Sequence, residues 1–434
     1  MPRLLDARAS GFEAAFRALL EATRETEANV DAAVADILAD VRARGDAALV
    51  DYTQRFDRLD LTPKDFRVDE AEFVTARGAV DAEVLEALEL AASRIEAFHR
   101  RQLPEDFEIR DEAGIRMGLR YRPVRTAGVY VPGGTAVYPS SVLMNAIPAR
   151  VAGVERIVMT VPAPDGILNP LLLAAAAIAG VTEVYRLGGA QAIAALAYGT
   201  ETVPAVDKIV GPGNAYVASA KRQVFGEVGI DMVAGPSEIL ILADGRNDPA
   251  WIAADLLAQA EHDTAARSIL ITDDDAFAEK AAAAVEATLQ TLPRAGIAKA
   301  SWEANGAIVT VASLTDAVPL IDALAPEHLE LAIENPEAIA SRVQNAGAIF
   351  LGRFTPEAFG DYMAGPNHVL PTARSARFSS GLGVLDFMKR STFVNAGAEG
   401  LNRLGPAAET LARAEGLDAH ALSLALRRAS SKDA

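Results

Sequence analysis

The chain reads GVYVP at residues 128–132, RIVMTVP at 156–162, VTEVYRL at 181–187 and DKIVGPG at 207–213. These are short runs rich in β-branched residues, and each is followed by turn residues. Between them lie Ala-rich stretches with helical character: Ser140–Val151, Pro170–Ile178, Ala190–Tyr198 and Asn214–Phe225. Strands alternating with helices of this length predict parallel β-α-β units, because a parallel connection must cross the sheet and a helix is the usual crossover.

The same alternation resumes downstream. EILILAD (238–244), a helix over Pro249–Ala260, SILITDD (268–274), a helix over Ala276–Gln290, GAIVTV (306–311) and GAIFLG (347–352) predict a second α/β domain. Upstream, residues to about Leu103 read as helices, with apolar residues at helical spacing through Val30–Val50 and Val80–Phe98. Phe107–Val124 alternates around Glu112-Ala113-Gly114 and reads as a hairpin. Beyond about Arg374 the alternation stops. There the chain reads as a loop and then short helices near Ala407–Ala414 and Ala419–Arg427.

The chain has 434 residues, enough for more than one domain. Its formal charge of −18 argues against general binding to nucleic acid or anionic membranes. There is no cysteine, so thiolate metal sites, iron–sulfur ligation and a thiol nucleophile are excluded. Any metal must be held by His, carboxylate, amide or water. The first 25 residues read as an amphipathic helix interrupted by acidic residues, unlike a signal peptide. The apolar stretch Leu171–Val181 is too short to span a bilayer. A cytoplasmic location is expected.

Four of the five histidines stand in suggestive company. Gln259 and His262, three residues apart at the end of a helix, can share an ion or simply close the helix as polar residues. Glu327-His328, between Pro326 and the alternating Leu329 and Leu331, can be an acid–base pair at a strand end facing a crevice, or a loop entering a strand. Asp361 and His368 lie in a Gly- and Pro-rich loop that suits either a ligand site or an ordinary turn. Glu415-Gly-Leu-Asp-Ala-His420 reads on pattern alone as a connection, with Gly416 ending one helix and Asp418 capping the next. His99, beside Arg100 and Arg101, reads as a solvated helix end. Three Gly-rich turns follow strands: Pro132-Gly-Gly-Thr135, Gly188-Gly-Ala-Gln191 and Gly211-Pro-Gly-Asn214. None completes G-x-G-x-x-G, so each is a tight βα turn or a weak dinucleotide signal.

Taken together, these segments resemble one family. Tyr130-Val-Pro-Gly-Gly, Gly188-Gly-Ala-Gln-Ala, Lys208-Ile-Val-Gly-Pro-Gly-Asn214, Ala234-Gly-Pro-Ser-Glu, Ala258-Gln-Ala-Glu-His-Asp, Pro326-Glu-His-Leu-Glu, Asp361-Tyr-Met-Ala-Gly-Pro-Asn-His368-Val-Leu-Pro-Thr, Ser380-Gly-Leu and Glu415-Gly-Leu-Asp-Ala-His420 occur in the order found in histidinol dehydrogenases. The resemblance runs from about Val30 to the C-terminus.

It implies two incomplete Rossmann-like domains with parallel sheets, an N-terminal helical arm (1–25) and a C-terminal helical tail (379–434) exchanged between the subunits of a homodimer. The first domain would join 26–128 with 238–378; the second would span 129–237. By position, Gln259, His262, Asp361 and His420 are implied ligands of one zinc ion per subunit, Gln259 being an uncommon one. Glu327 and His328 are the implied catalytic pair. Ser237, His368 and Glu415 are implied to contact substrate together with His328 and the zinc ligands. Tyr130, Gln191 and Asn214 are implied NAD contacts. Glu415 and His420 would serve the partner's site, which reverses the plain reading of that connection.

The implied reaction takes L-histidinol through L-histidinal to L-histidine, with two NAD consumed in turn. His328 would be the base, and Glu327 would activate the water that hydrates the aldehyde. The missing cysteine matters here, because a thiohemiacetal route is closed. The sequence leaves three other readings. One is the same fold acting on another small alcohol such as a sulfopropanediol, which the carboxylate of Glu415 disfavours. The others are a zinc hydrolase and a catalytically silent metal-binding protein.

Overall fold

A computed structural model describes residues 2–21, 28–133 and 137–430. The expected boundary at residues 25–26, and Gly134 and Thr135 of the first Gly-rich turn, lie outside the described residues. In chain order the strands are β1 (Arg3–Asp6), β2 (Phe107–Arg110), β3 (Arg116–Pro123), β4 (Thr126–Tyr130) and β5 (Arg156–Val161). They continue with β6 (Glu183–Arg186), β7 (Lys208–Val210), β8 (Gly229–Ile230), β9 (Glu238–Ala243) and β10 (Arg267–Thr272). The last four are β11 (Ala307–Thr310), β12 (His328–Ala332), β13 (Ala348–Leu351) and β14 (Met388–Asn395).

Two compact units emerge. The larger combines residues 1–102 and 125–387 and contains two parallel sheets. One has the order β6-β5-β4-β7-β8, the other β1-β11-β10-β9-β12-β13. The fold is α/β, as the alternation predicts. All six residues of β9 and of β10 are buried, so both faces of these central strands are covered; their middles, Ile239–Ala243 and Ile269–Ile271, are continuous apolar runs and do not alternate. Helix starts follow local chemistry. Asn169 accepts a hydrogen bond from the Leu171 N–H at 2.9 Å ahead of Pro170, and Asp248 accepts one from Ala250 at 2.9 Å ahead of Pro249.

The connections locate the crevices. From β4 the chain steps to β5 and β6 on one side, and to β7 and β8 on the other. The carboxyl ends of β4 and β7 therefore flank a topological switch point, where open α/β sheets bind ligands. In the six-stranded sheet the equivalent point lies between β9 and β12. At its carboxyl edge Arg353 pairs with Asp244 at 2.5 Å, and Asn247 donates to the Ala332 carbonyl at 2.6 Å.

The smaller unit combines 103–124 and 388–434. It holds an antiparallel sheet, β14-β3-β2, and the helices Ala398–Ala414 and Asp418–Ser430. The hairpin expected at 107–124 is present as β2 and β3.

Three expectations need correction. The first residues are not helical throughout: Arg3–Asp6 pairs in parallel with β11, and the helix begins at Phe12. The tail is not only loop and helix: β14 pairs along its length with β3. Neither segment alternates clearly, and each is held as a strand by a distant partner. His99 is fully buried. Its Nδ1 lies 2.7 Å from the Ile95 carbonyl and its Nε2 3.4 Å from the Asn367 amide nitrogen. Burial pushes its pKa down. Among the described residues, no helix is long and apolar enough to cross a membrane.

Candidate active site

The titratable residues of the larger unit converge on His328, the first residue of β12. Its imidazole is 5% exposed. Nδ1 lies 3.1 Å from the Glu238 carbonyl oxygen and 3.0 Å from Glu357 Oε1. A carbonyl can only accept, so Nδ1 carries the proton and Nε2 is left as a bare acceptor. Nε2 is buried, has no hydrogen-bond partner, and sits 3.9 Å from Asp361 Oδ1. Burial pushes the pKa of His328 down to about 4 against the pull of Asp361. The ring is therefore neutral near pH 7, the form a base must have.

Glu327 precedes it and is also buried. Its Oε2 accepts the Glu238 N–H at 2.9 Å and lies 3.8 Å from His328 Nδ1. Burial raises its carboxyl well above the usual range, with Glu238 and Asp361 adding to the effect. The pair does stand at a strand end, but at the amino end of β12, not the carboxyl edge. The registers His328 with Ile239 and His328 with Ala348 place it beside the starts of β9 and β13.

Asp361 lies in a π-turn, Gly360–Ala364, a distortion common at functional sites. Its Oδ1 is 3.8 Å from His368 Nδ1. The loop is anchored where Arg94 donates to the Met363 carbonyl at 2.5 Å, and where Asn367 donates to the Met144 carbonyl at 2.6 Å. The buried His99 supports Asn367 from behind. Gln259, on the last turn of the helix Pro249–Ala260, is 1% exposed, and its Oε1 has no partner. His262 follows just beyond that helix end and is exposed. Positive charge on either His262 or His368 would lower the pKa of His328 further. Ser237 immediately precedes β9.

Among the described residues, His328, Glu357 and Asp361 bring one ligand atom each within 4.8 Å of the others. Glu357 escaped the sequence reading. The available signal was its place four residues before Asp361, on one face of a helical turn. Glu238 was also missed, although it stands next to Ser237. Burial raises its carboxyl to about 7. Carboxyl groups clustered on one imidazole suit a cation; carboxylate and imidazole are acceptable donors for zinc, as is an amide oxygen such as the unpartnered one of Gln259.

A second group of predicted residues gathers at the switch point of the five-stranded sheet. The Tyr130 hydroxyl, at the end of β4, accepts the Gly189 N–H at 3.1 Å. Gln191 is buried with Oε1 unpartnered. Asn214 is exposed and caps the helix Ala215–Val224, accepting from Tyr216 and Val217. Glu415 and His420 belong to the smaller unit, at and beyond the end of the helix Ala398–Ala414. Both are exposed there. Gly416, at φ +74°, ends that helix as expected.

The histidinol dehydrogenase family model matches residues 20–428. The chain belongs to the histidinol dehydrogenase family. A histidinol dehydrogenase of Rhodospirillum rubrum is 62% identical over 428 residues, covering 98% of this chain and 99% of the relative. One from Ruegeria pomeroyi is 61% identical over 427 residues, with 98% and 99% covered. The crystal structure of the family member from Elizabethkingia anophelis superposes with a TM-score of 0.94 at 37% identity, covering 99% of this chain and 98% of that one. Membership makes the chain an oxidoreductase.

Proposed function

We propose that this chain is a zinc-dependent, NAD-linked histidinol dehydrogenase of histidine biosynthesis, oxidising L-histidinol through L-histidinal to L-histidine. The observation that carries the reading is His328: a buried neutral imidazole with its Nδ1–H engaged by a carbonyl and its Nε2 bare beside Asp361.

Gln259, His262 and Asp361, with His420 from a second subunit, would hold the zinc ion. The unpartnered Gln259 oxygen and the acidic surroundings fit that donor set. Bound there, zinc would supply a template for the substrate's amino and imidazole nitrogens. NAD would lie at the switch point against Tyr130, Gln191 and Asn214 and accept hydride. The unpartnered Gln191 oxygen and the adjoining turns fit a polar ligand.

His328 Nε2 takes the hydroxyl proton of the alcohol as its carbon loses hydride. Glu327 then takes a proton from the water that adds to the aldehyde carbon, while His328 returns its proton to the carbonyl oxygen, which gives the gem-diol and leaves His328 neutral again. His328 takes a hydroxyl proton of the resulting gem-diol during the second oxidation. A buried carboxyl whose proton affinity is raised is a stronger base than a solvated one, once ionised. Ser237 and His368 would line the substrate, and Glu415 would accept its imidazole N–H. The proposed assembly is a homodimer in which Glu415 and His420 complete the partner's site.

Adding histidinol, NAD and zinc to the purified protein should produce NADH absorbance, two per histidine formed. Turnover of a sulfopropanediol in place of histidinol would move the substrate assignment. Hydrolysis without NADH would replace the reaction class.

A further inference from the structure

Gly211 leaves β7 at φ +115°, and a Cβ at this position would stand 2.1 Å from the Tyr130 carbonyl oxygen. The position therefore requires glycine, and the turn Gly211–Asn214 lies against the end of β4. Gly211 has no stiffness of its own, although Pro212 after it fixes the next φ. Its peptide groups are instead held by two side chains. The Gly211 N–H donates to Asp231 Oδ2 at 2.9 Å, and the Gly211 carbonyl accepts from Lys221 Nζ at 2.8 Å. Lys221 and Asp231 form an ion pair with side chains 2% and 1% exposed.

Burying such a pair carries a large desolvation cost, and apolar residues of the same volume often serve stability as well or better. What apolar residues cannot do is hold an N–H and a C=O of one glycine at once. Lys221 lies on the helix Ala215–Val224 that Asn214 caps, and Asp231 directly follows β8. The pair thus ties the strand end, the helix and the next strand to one residue.

We infer that the Lys221–Asp231 pair is a positioning device for dinucleotide binding, fixing the Gly211–Asn214 turn so that its backbone and Asn214 meet the cofactor. This rests on the placement of NAD at the switch point. Lys221 itself touches no reacting group.

The test compares Lys221→Met, the charge-free double variant Lys221→Met/Asp231→Asn, and Asn214→Asp. The single variant leaves a buried carboxylate unpaired and can fail to fold, whereas the double variant removes that charge. Asn214→Asp keeps the helix cap but sets a negative charge against the phosphates. The readouts are KM for NAD, KM for histidinol, kcat, zinc content and unfolding in urea. The folded double variant is expected to raise KM for NAD about tenfold or more, with kcat and KM for histidinol within about threefold and zinc retained. Unchanged KM for NAD in the double variant, with a rise in Asn214→Asp, overturns the positioning role and leaves the NAD site standing. Unchanged KM for NAD in Asn214→Asp overturns the site itself. A double variant that loses stability, kcat and both KM values together, or does not fold, shows the pair to be structural only and overturns the inference.

Discussion

At the scale of the residue, the site works by withholding solvent. His328 stays neutral because its imidazole is buried, and its tautomer is set by one backbone carbonyl. Glu327 has the same burial with the opposite consequence: its proton is held more tightly than in water. If Glu327 is the hydration base, Glu327→Gln should impair conversion of histidinol to histidine by a factor of about a hundred or more. Oxidation of added, already hydrated histidinal should fall much less. The two rates are compared by NADH formation; equal losses would show that Glu327 is not chiefly activating water. Both residues were legible as candidates because a Glu-His pair before a strand is a recognisable acid–base unit. Glu357 was not, since its meaning comes from His328, 29 positions away in the chain.

At the scale of the element, β12 carries two polar residues, His328 and Glu330, into a buried sheet. His328 and Glu330 share one face by strand periodicity, and Glu330 forms a hydrogen bond with Asp255 on the neighbouring helix. Burial raises the Glu330 carboxyl well above its ordinary value and that of Asp255 to about 6. The folded chain therefore keeps protons that the unfolded chain releases. Stability is full below the unfolded carboxyl range and falls as pH rises through the raised values. Glu330→Gln does not ionise and still offers a donor to Asp255. Its Tm should exceed that of the parent at pH 8, by the equivalent of about 1 kcal/mol or more, and should match it near pH 4. Calorimetry at both pH values decides this, and the same difference at both would remove the shared-proton account. The helices around the site were readable from caps and Ala-rich runs. β1 and β14 were not, because four or eight residues without clear alternation become strands only through distant partners.

At the scale of the whole molecule, the predictions concern metal and assembly. Exhaustive chelation should abolish turnover, and zinc should restore it. Full turnover by protein shown metal-free by elemental analysis would remove the template. If His420 serves the partner, then His420→Asn and Glu327→Gln, each inactive alone, should complement after unfolding and refolding together. Random pairing makes about half the dimers mixed, each with one intact site of two, so activity should return to about a quarter of the parent. Mixed dimers demonstrated by mass spectrometry without recovery would place His420 in its own subunit's site.

Sequence alone determined the α/β class, the Gly-rich turns, the ends of the helices that link the strands of the five-stranded sheet and a set of motifs specific enough to name a family. These are carried by local periodicity, by caps within a few residues, and by the order of motifs along one chain. Tertiary structure alone decided that the Glu327–His328 pair stands at the amino edge of its sheet, that Glu238 and Glu357 crowd His328, that His99 supports the Asp361 loop from the core, and that Lys221 and Asp231 grip one glycine. Each of these depends on segments far apart in sequence meeting in a solvent-poor interior, where burial decides protonation and no local pattern announces the neighbour.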